Sequence, residues 1–187
     1  MRRKVGLVVA ALSLLVVTAA PAQAGAVTFV DAGGAIENEA EVFLQGSNVS
    51  LKAGNLRCEE FSIATTVAEN SANPAVLQEG PATLAECYVT QNPLNRIYPN
   101  NVQIGQITMG SDGTGAMPIE FGYTSNVFGW GCSKMQGTLG VAMSPISSEA
   151  IQYSGNLTHS GCTLGDMNMA GQLQLTSNNG PAEVTFP

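Results

Sequence analysis

His159 is the only histidine of the 187-residue chain, and imidazole is the side chain that most often acts as a general base near neutral pH. A serine nucleophile needs its oxygen against an imidazole that a carboxylate orients. Ser160 follows His159 directly, but neighbouring residues of a strand point to opposite faces, and no Gly-x-Ser-x-Gly turn presents another serine. We therefore expect His159 to be a polar residue at a strand end, and we expect the protein not to be an enzyme.

Two groups of side chains carry atoms that metal ions prefer. Met167 and Met169 offer thioethers of the kind that holds Cu(I). Together with Asp31, carboxylates for calcium are offered by Glu37, Glu39 and Glu41. The two methionines alternate in phase with apolar residues, as in a core strand in which methionine fills gaps. Calcium needs about six to eight oxygens from several segments. The patterns therefore favour a core strand and a solvated acidic segment, with no metal and no cofactor.

The four cysteines predict two disulfide bonds. Only one histidine is present and no Cys-x-x-Cys occurs, which argues against zinc. Three pairings are possible, but Cys58 and Cys87 lie 29 residues apart and Cys132 and Cys162 lie 30 apart. The nearly equal spacing favours Cys58–Cys87 and Cys132–Cys162, each closing a local pair of strands. The two loops also share a weak similarity, as expected of distant repeats of one unit.

The N-terminal residues have the layout of a secretory signal peptide. A basic start is followed by an apolar run and a small-x-small step, so we expect a signal peptide at residues 1–24 and a single secreted β-domain at residues 25–187. Three of the seven basic residues leave with that peptide, so the net charge falls from −7 to −10. Four scattered basic residues cannot bind nucleic acid or an anionic membrane surface. The mature chain also contains no membrane span.

Alternation with a period of two recurs along the chain and predicts an all-β fold. We expect an antiparallel β-sandwich or a small β-barrel of about ten strands, with one helical turn at residues 71–78. A change of phase at Gly105 predicts a bulge, and Gly113 predicts a hairpin turn. The predicted strands cover residues 26–31, 48–52, 61–67, 83–89, 102–109, 116–123, 138–143, 151–157, 167–176 and 183–186.

The order of cysteines and short motifs resembles a group of small exported proteins of actinobacteria. The residues that carry the resemblance are Gly129-Trp130-Gly131-Cys132, Gly137-Thr138-Leu139 and Ser160-Gly161-Cys162. The resemblance covers about residues 46–187. It implies an exported β-domain with two disulfide loops and no established activity, and it brings no catalytic residue with it.

The first function that these observations favour is a non-catalytic domain, secreted or associated with the cell envelope, that acts by surface interaction. Its partner is an unknown protein or glycan. Aromatic side chains give contact area at low entropic cost, so Trp130, Tyr98 and Tyr88 are the candidate contact residues. We place Tyr98 in a loop at residues 95–101. For Trp130, packing against the neighbouring half-cystine is the alternative to surface contact.

The second function is a binding protein for a small apolar ligand. Small barrels hold such ligands in an internal cavity, and the candidate lining residues are Met117, Phe121, Met169 and Leu173. A filled core at these positions favours surface interaction instead. A hydrolase that uses carboxylates alone is a distant third.

Overall fold

The computed structural model describes residues 25–52, 55–143 and 150–187, and the predicted signal peptide lies outside them. The described residues form strands and no helix, which confirms the all-β class. Along the described chain the strands are β1 (Thr28–Asp31), β2 (Gly34–Ala35), β3 (Glu41–Gly46), β4 (Val49–Leu51), β5 (Leu56–Glu69), β6 (Ala75–Leu77), β7 (Gly80–Val89), β8 (Asn92–Ile104), β9 (Ile107–Met109), β10 (Thr114–Ser125), β11 (Gly131–Ala142), β12 (Ala150–Cys162), β13 (Met167–Ser177), β14 (Gly180–Pro181) and β15 (Glu183–Thr185).

The strand pairings close into a ring, so the large antiparallel sheet is a barrel. Around the ring the strands follow in chain order from β3 to β13, and β13 returns to pair with β3 and β4. At three positions around the ring, two successive strands lie end to end and pair with the same neighbouring strand. These pairs are β3 with β4, β6 with β7, and β8 with β9. With β5, β10, β11, β12 and β13 as the other positions, the described part of the chain has eight strand positions around the ring.

The structure agrees with two of the local predictions from the sequence and differs from two others. The phase change at Gly105 is the break between β8 and β9, and Gly113 lies in the hairpin that pairs β9 with β10. The expected helical turn at residues 71–78 is wrong, because Ala75 and Leu77 alternate inward and pair with β9. The expected loop at residues 95–101 is also wrong, because these residues lie within β8 and pair with β7 and β10.

Both predicted disulfides are confirmed. Cys58–Cys87 joins β5 to β7, and Cys132–Cys162 joins β11 to β12. The ring divides in chain order into a first half, β3 to β9, and a second half, β10 to β13, each with four strand positions. Each disulfide links the second and third positions of its own half. All four half-cystines lie where their strands begin or end on one side, which we name the disulfide end. A disulfide stabilises by restricting the unfolded chain, so each half carries its own restraint.

The opposite end of the ring is covered by a small sheet. β1 pairs with β15 and β2, and Val27 bridges to Ala72 between β5 and β6. Phe29 and Val184 bury their side chains against the barrel core. We name this the capped end.

Asp31 fastens the small sheet to the turn after β13. Its carboxylate accepts hydrogen bonds from the Ser177 hydroxyl at 2.6 Å, the Gly33 amide at 2.7 Å and the Asn179 side chain at 3.0 Å. The hydrogen bond from Ser177, followed by that from Gly33, holds the pKa of Asp31 below its usual value of 3.8. The charged form of Asp31 is therefore the form that the fold prefers.

We expect acid to weaken this attachment between about pH 5 and about pH 2. A carboxyl group with a lowered pKa in the folded state stabilises the fold above its unfolded pKa, and the stabilisation disappears as the pH falls through the folded pKa. Ser177→Ala removes the largest cause of the shift. The variant should be less stable than the wild type at about pH 6 and should lose less stability on acidification. Denaturant unfolding of both proteins at about pH 6 and about pH 2 measures the free energy of unfolding. An equal fall in this free energy between the two pH values in both proteins would contradict the prediction.

No described segment is a helix of the length and apolarity that crossing a membrane requires.

Candidate functional site

A groove of about 1060 Å³ crosses the outer surface of β11, β12, β13, β3 and β5. Side chains alternate across a strand, so the inward positions of these strands fill the core and the outward positions line the groove. Small residues at the outward positions leave the hollow, namely Gly140, Ala142 and Ala170. We name this feature the amide groove, after the side chains described next.

Side-chain amides dominate the lining of the amide groove. Gln152 lies directly opposite Gln172 across the β12–β13 ladder, and Gln174 lies opposite Gln45 across the β13–β3 ladder. Directly opposed residues have Cβ atoms about 5 Å apart, so each pair presents two amides side by side. Among the described residues, none of these four amides has an intramolecular hydrogen-bond partner. Their donors and acceptors are therefore available to a ligand.

Hydroxyl groups complete the polar lining, and the charge in the groove is low. Ser47, Ser62 and Ser154 line it together with Asn48, and the one lining carboxylate belongs to Glu60. No lysine, arginine or histidine is among the described residues that line it. The amide groove is thus suited to a neutral polar ligand rather than to an anion.

The core beneath the amide groove is aromatic. Phe61 on β5 and Tyr153 on β12 point into the barrel, on the opposite side of the sheet from the outward side chains of the groove. They are 0% and 2% exposed, and their rings meet edge to face with centroids 5.7 Å apart. Tyr153 lies opposite Gly171 on β13, and a Cβ atom at position 171 would stand 2.3 Å from the Tyr153 hydroxyl oxygen, so only glycine allows this ring position. The packing beneath the groove therefore depends on a glycine in the neighbouring strand.

The Tyr153 hydroxyl has no hydrogen-bond partner among the described residues, although it is buried. Burial also raises the pKa of this group, so Tyr153 is a neutral donor at all ordinary pH values. A buried hydroxyl without a partner costs about 1–3 kcal/mol. Native structures rarely keep such a group. This one faces the barrel interior, so it is not a contact for a ligand in the amide groove.

His159 has a partner that the sequence did not reveal. Asp166, seven residues further on, accepts hydrogen bonds from the His159 backbone amide at 3.1 Å and contacts its ring Nδ1 at 2.5 Å. The hydrogen bond with His159 holds the pKa of Asp166 below its usual value. Both side chains are solvent-accessible, and among the described residues no serine hydroxyl is bonded to the ring. The pair supplies two parts of a triad and lacks the nucleophile.

The three candidate contact residues lie near the disulfide end and outside the amide groove. Tyr98 is 52% exposed on β8, and Trp130 is half-buried in the turn before β11. Tyr88 is half-buried. Its hydroxyl donates to Glu59 at 2.5 Å, which raises the pKa of Tyr88, and Arg96 lies over its ring. Trp130 is not a member of the buried core cluster.

Two apolar side chains at the same end are more exposed than these aromatics. Leu94 is 82% exposed and Phe128 is fully exposed. A hydrogen bond joins the two segments, because the Asn126 side chain, two residues before Phe128, donates to the Leu94 carbonyl oxygen at 2.7 Å. Sequence reasoning missed both residues, since an apolar side chain in a turn carries no periodic signal.

The four residues proposed to line an internal cavity are all in the core. Met117, Phe121, Met169 and Leu173 are at most 2% exposed and belong to one continuous core cluster. None of them lines the amide groove or the small cavity at the capped end. Met167 is buried in the same cluster, as the core interpretation of the methionine pair predicts.

The acidic residues proposed for calcium meet at the capped end. Asp31, Glu37 and Glu41 line a small cavity of about 300 Å³. The Asp31 oxygens are already engaged by Ser177, Gly33 and Asn179. In the described ranges, no group of three or more histidine, cysteine or acidic residues is placed to hold a metal ion.

The glutamines of the amide groove were not predicted from the sequence. Their signal is the alternation of polar side chains in Gln152-Tyr153-Ser154 and Gln172-Leu173-Gln174, which is also what any solvated strand face shows. Only the ring brings them together, because it places β13 between β12 and β3.

No protein-family model, no curated protein and no solved structure matches the chain. The resemblance to exported actinobacterial proteins therefore stays a prediction.

Proposed function

We propose that this protein is a non-catalytic domain, secreted or associated with the cell envelope, that binds its partner through the amide groove. The observation that carries the proposal is a groove about 1060 Å³ in volume whose glutamine amides have no partner within the described chain. Such a volume lies at the upper end of the range of ligand sites, and the solvent-exposed amides are free to hydrogen-bond to a ligand.

Two further observations support binding rather than catalysis. The dyad of His159 and Asp166 lies outside the amide groove and has no nucleophile bonded to it in the described chain. The two disulfides are compatible with an extracellular protein, in which cysteines stay oxidised and thiol chemistry is excluded. The predicted signal peptide accounts for delivery to that compartment.

The disulfide end is a second candidate surface for the same function. Phe128 and Leu94 expose apolar side chains there, beside the half-buried Trp130. Exposed apolar groups that adjoin one another mark interaction sites when they form a patch. The experiment below separates the two surfaces.

Two glycines on β11 provide a matched pair of variants. Gly140 lies in the amide groove and Gly131 lies at the disulfide end, next to Trp130. A Cβ atom at either position would meet only backbone oxygen at 3.6 Å or 3.8 Å, which is ordinary contact, and neither glycine has a positive φ. Tyrosine is favoured in strands, so Gly140→Tyr and Gly131→Tyr should both fold.

We expect the mature protein to sediment with envelope material isolated from the cells that produce it. Gly140→Tyr should abolish this because the new side chain fills the amide groove, and Gly131→Tyr should leave it unchanged. The measurement is the bound fraction of each protein, with the melting temperature as the control for folding. Binding that survives in Gly140→Tyr and fails in Gly131→Tyr would assign the function to the disulfide end. Absence of sedimentation in all three proteins would refute envelope binding.

A further inference from the structure

We propose that the ligand of the amide groove is a neutral, polyhydroxylated chain, that is, a segment of an uncharged glycan. This inference rests on the proposed function and names the chemical class that the groove takes. It follows from two properties of the site: the charge and hydrogen-bonding groups of its lining, and the form of the barrel around it.

The lining selects against charge. With no cation among its described residues, the groove has nothing to pair with a phosphate or carboxylate ligand, and the Glu60 carboxylate repels one. Each glutamine amide offers two donors and an acceptor, and a sugar hydroxyl is itself both donor and acceptor. The opposed pairs, Gln152 with Gln172 and Gln174 with Gln45, are placed to bind neighbouring hydroxyls of one chain.

The closed ring argues against an extended peptide. Peptides that bind to sheets usually add a strand to a free edge, and their alternate side chains enter pockets. The amide groove lies across five strands that are all paired on both sides. Phe61 and Tyr153 point into the core, so they offer a peptide no apolar pocket at this surface. A ligand must therefore bind to the outward polar side chains of the strands rather than to backbone groups of a free edge.

Isothermal titration with neutral hexasaccharides tests the inference. The neutral probes are cellohexaose, maltohexaose and fully N-acetylated chitohexaose. Hexagalacturonate is the charged glycan, and a Gly-Ala hexapeptide is the peptide. We expect saturable binding of at least one of the three neutral hexasaccharides. We expect no binding of hexagalacturonate or of the Gly-Ala hexapeptide. Tyr153→Phe removes a hydroxyl on the inner face of the sheet, so it should leave the affinity unchanged and serves as a control. Gly140→Tyr should abolish binding and Gly131→Tyr should not.

Two results would overturn the inference. They are binding of hexagalacturonate or the hexapeptide in place of the neutral probes, and neutral binding that persists in Gly140→Tyr. If none of the neutral probes binds while the wild type still sediments with envelope material in a manner that depends on Gly140, the glycan inference fails and the proposed function stands. If both experiments fail, the amide groove is not the binding site.

Discussion

Loss of the Cys132–Cys162 bond is expected to lower the free energy of unfolding by about 2–5 kcal/mol. This bond joins β11 to β12 at directly opposed positions and closes a loop of 30 residues. Without it, the unfolded chain regains the conformational freedom of that loop, while the folded chain keeps the ladder. Urea unfolding of the double variant Cys132→Ala/Cys162→Ala measures the loss without leaving a reactive thiol.

The matched control is the corresponding change at Cys58 and Cys87. That bond closes a loop of 29 residues between β5 and β7, so the loop-closure model predicts nearly the same loss. If either double variant were as stable as the wild type, the disulfide of that half would not contribute to the stability of the ring.

Phe61→Ala is expected to lower the free energy of unfolding by about 3–5 kcal/mol. Phe61 is completely buried near the middle of β5, and its ring packs edge to face on Tyr153. Truncation removes apolar contact and leaves a void below the amide groove, because the strands around it are held by their ladders. Phe61→Leu keeps most of the volume and should lose less stability. Urea unfolding of both variants gives the two values.

A small loss in Phe61→Ala would have a definite meaning. A cost below about 1 kcal/mol would show that the side chain has few packing partners, since full burial of an aromatic ring contributes more than this. The interior would then be loosely filled, and the alternative of an apolar ligand between the strands would gain support over binding at the outer surface.

Much of the ring was predictable because its strands carry local signals. Alternation marks Met117, Ile119 and Phe121 on β10 as one inward face, and the spacing of the cysteines was enough to pair them. β3 was missed because its glutamate neighbours made an acidic segment the natural interpretation. Most of β8 was missed because its exposed polar residues resemble a loop, although Ile97 and Ile104 point inward.

The candidate site was not predictable for a different reason. Its amides come from β3, β12 and β13, and Gln45 and Gln174 become neighbours only because the ring closes between those strands. A single-sequence pattern reports which face of a strand is polar, but it does not report which strands adjoin. The role of Gly171 was equally hidden, since it depends on the length of Tyr153 reaching across from the next strand.

Because the ring closes through strands that are far apart in the sequence, its parts are expected to form in a definite order during folding. The two disulfides span 29 and 30 residues, whereas Thr176 on β13 reaches the Phe43 carbonyl 133 residues away and Thr185 on β15 reaches Thr28 157 residues away. Loop-closure entropy grows with chain length, so the local hairpins form early and the pairings of β13 with β3 and of β15 with β1 come late. Until β13 pairs with β3, these two strands are open strand edges that other chains can join. The most aggregation-prone species on the folding pathway is therefore the nearly finished barrel, and changes that speed β3–β13 pairing will raise the yield of folded protein more than equal stabilisation elsewhere.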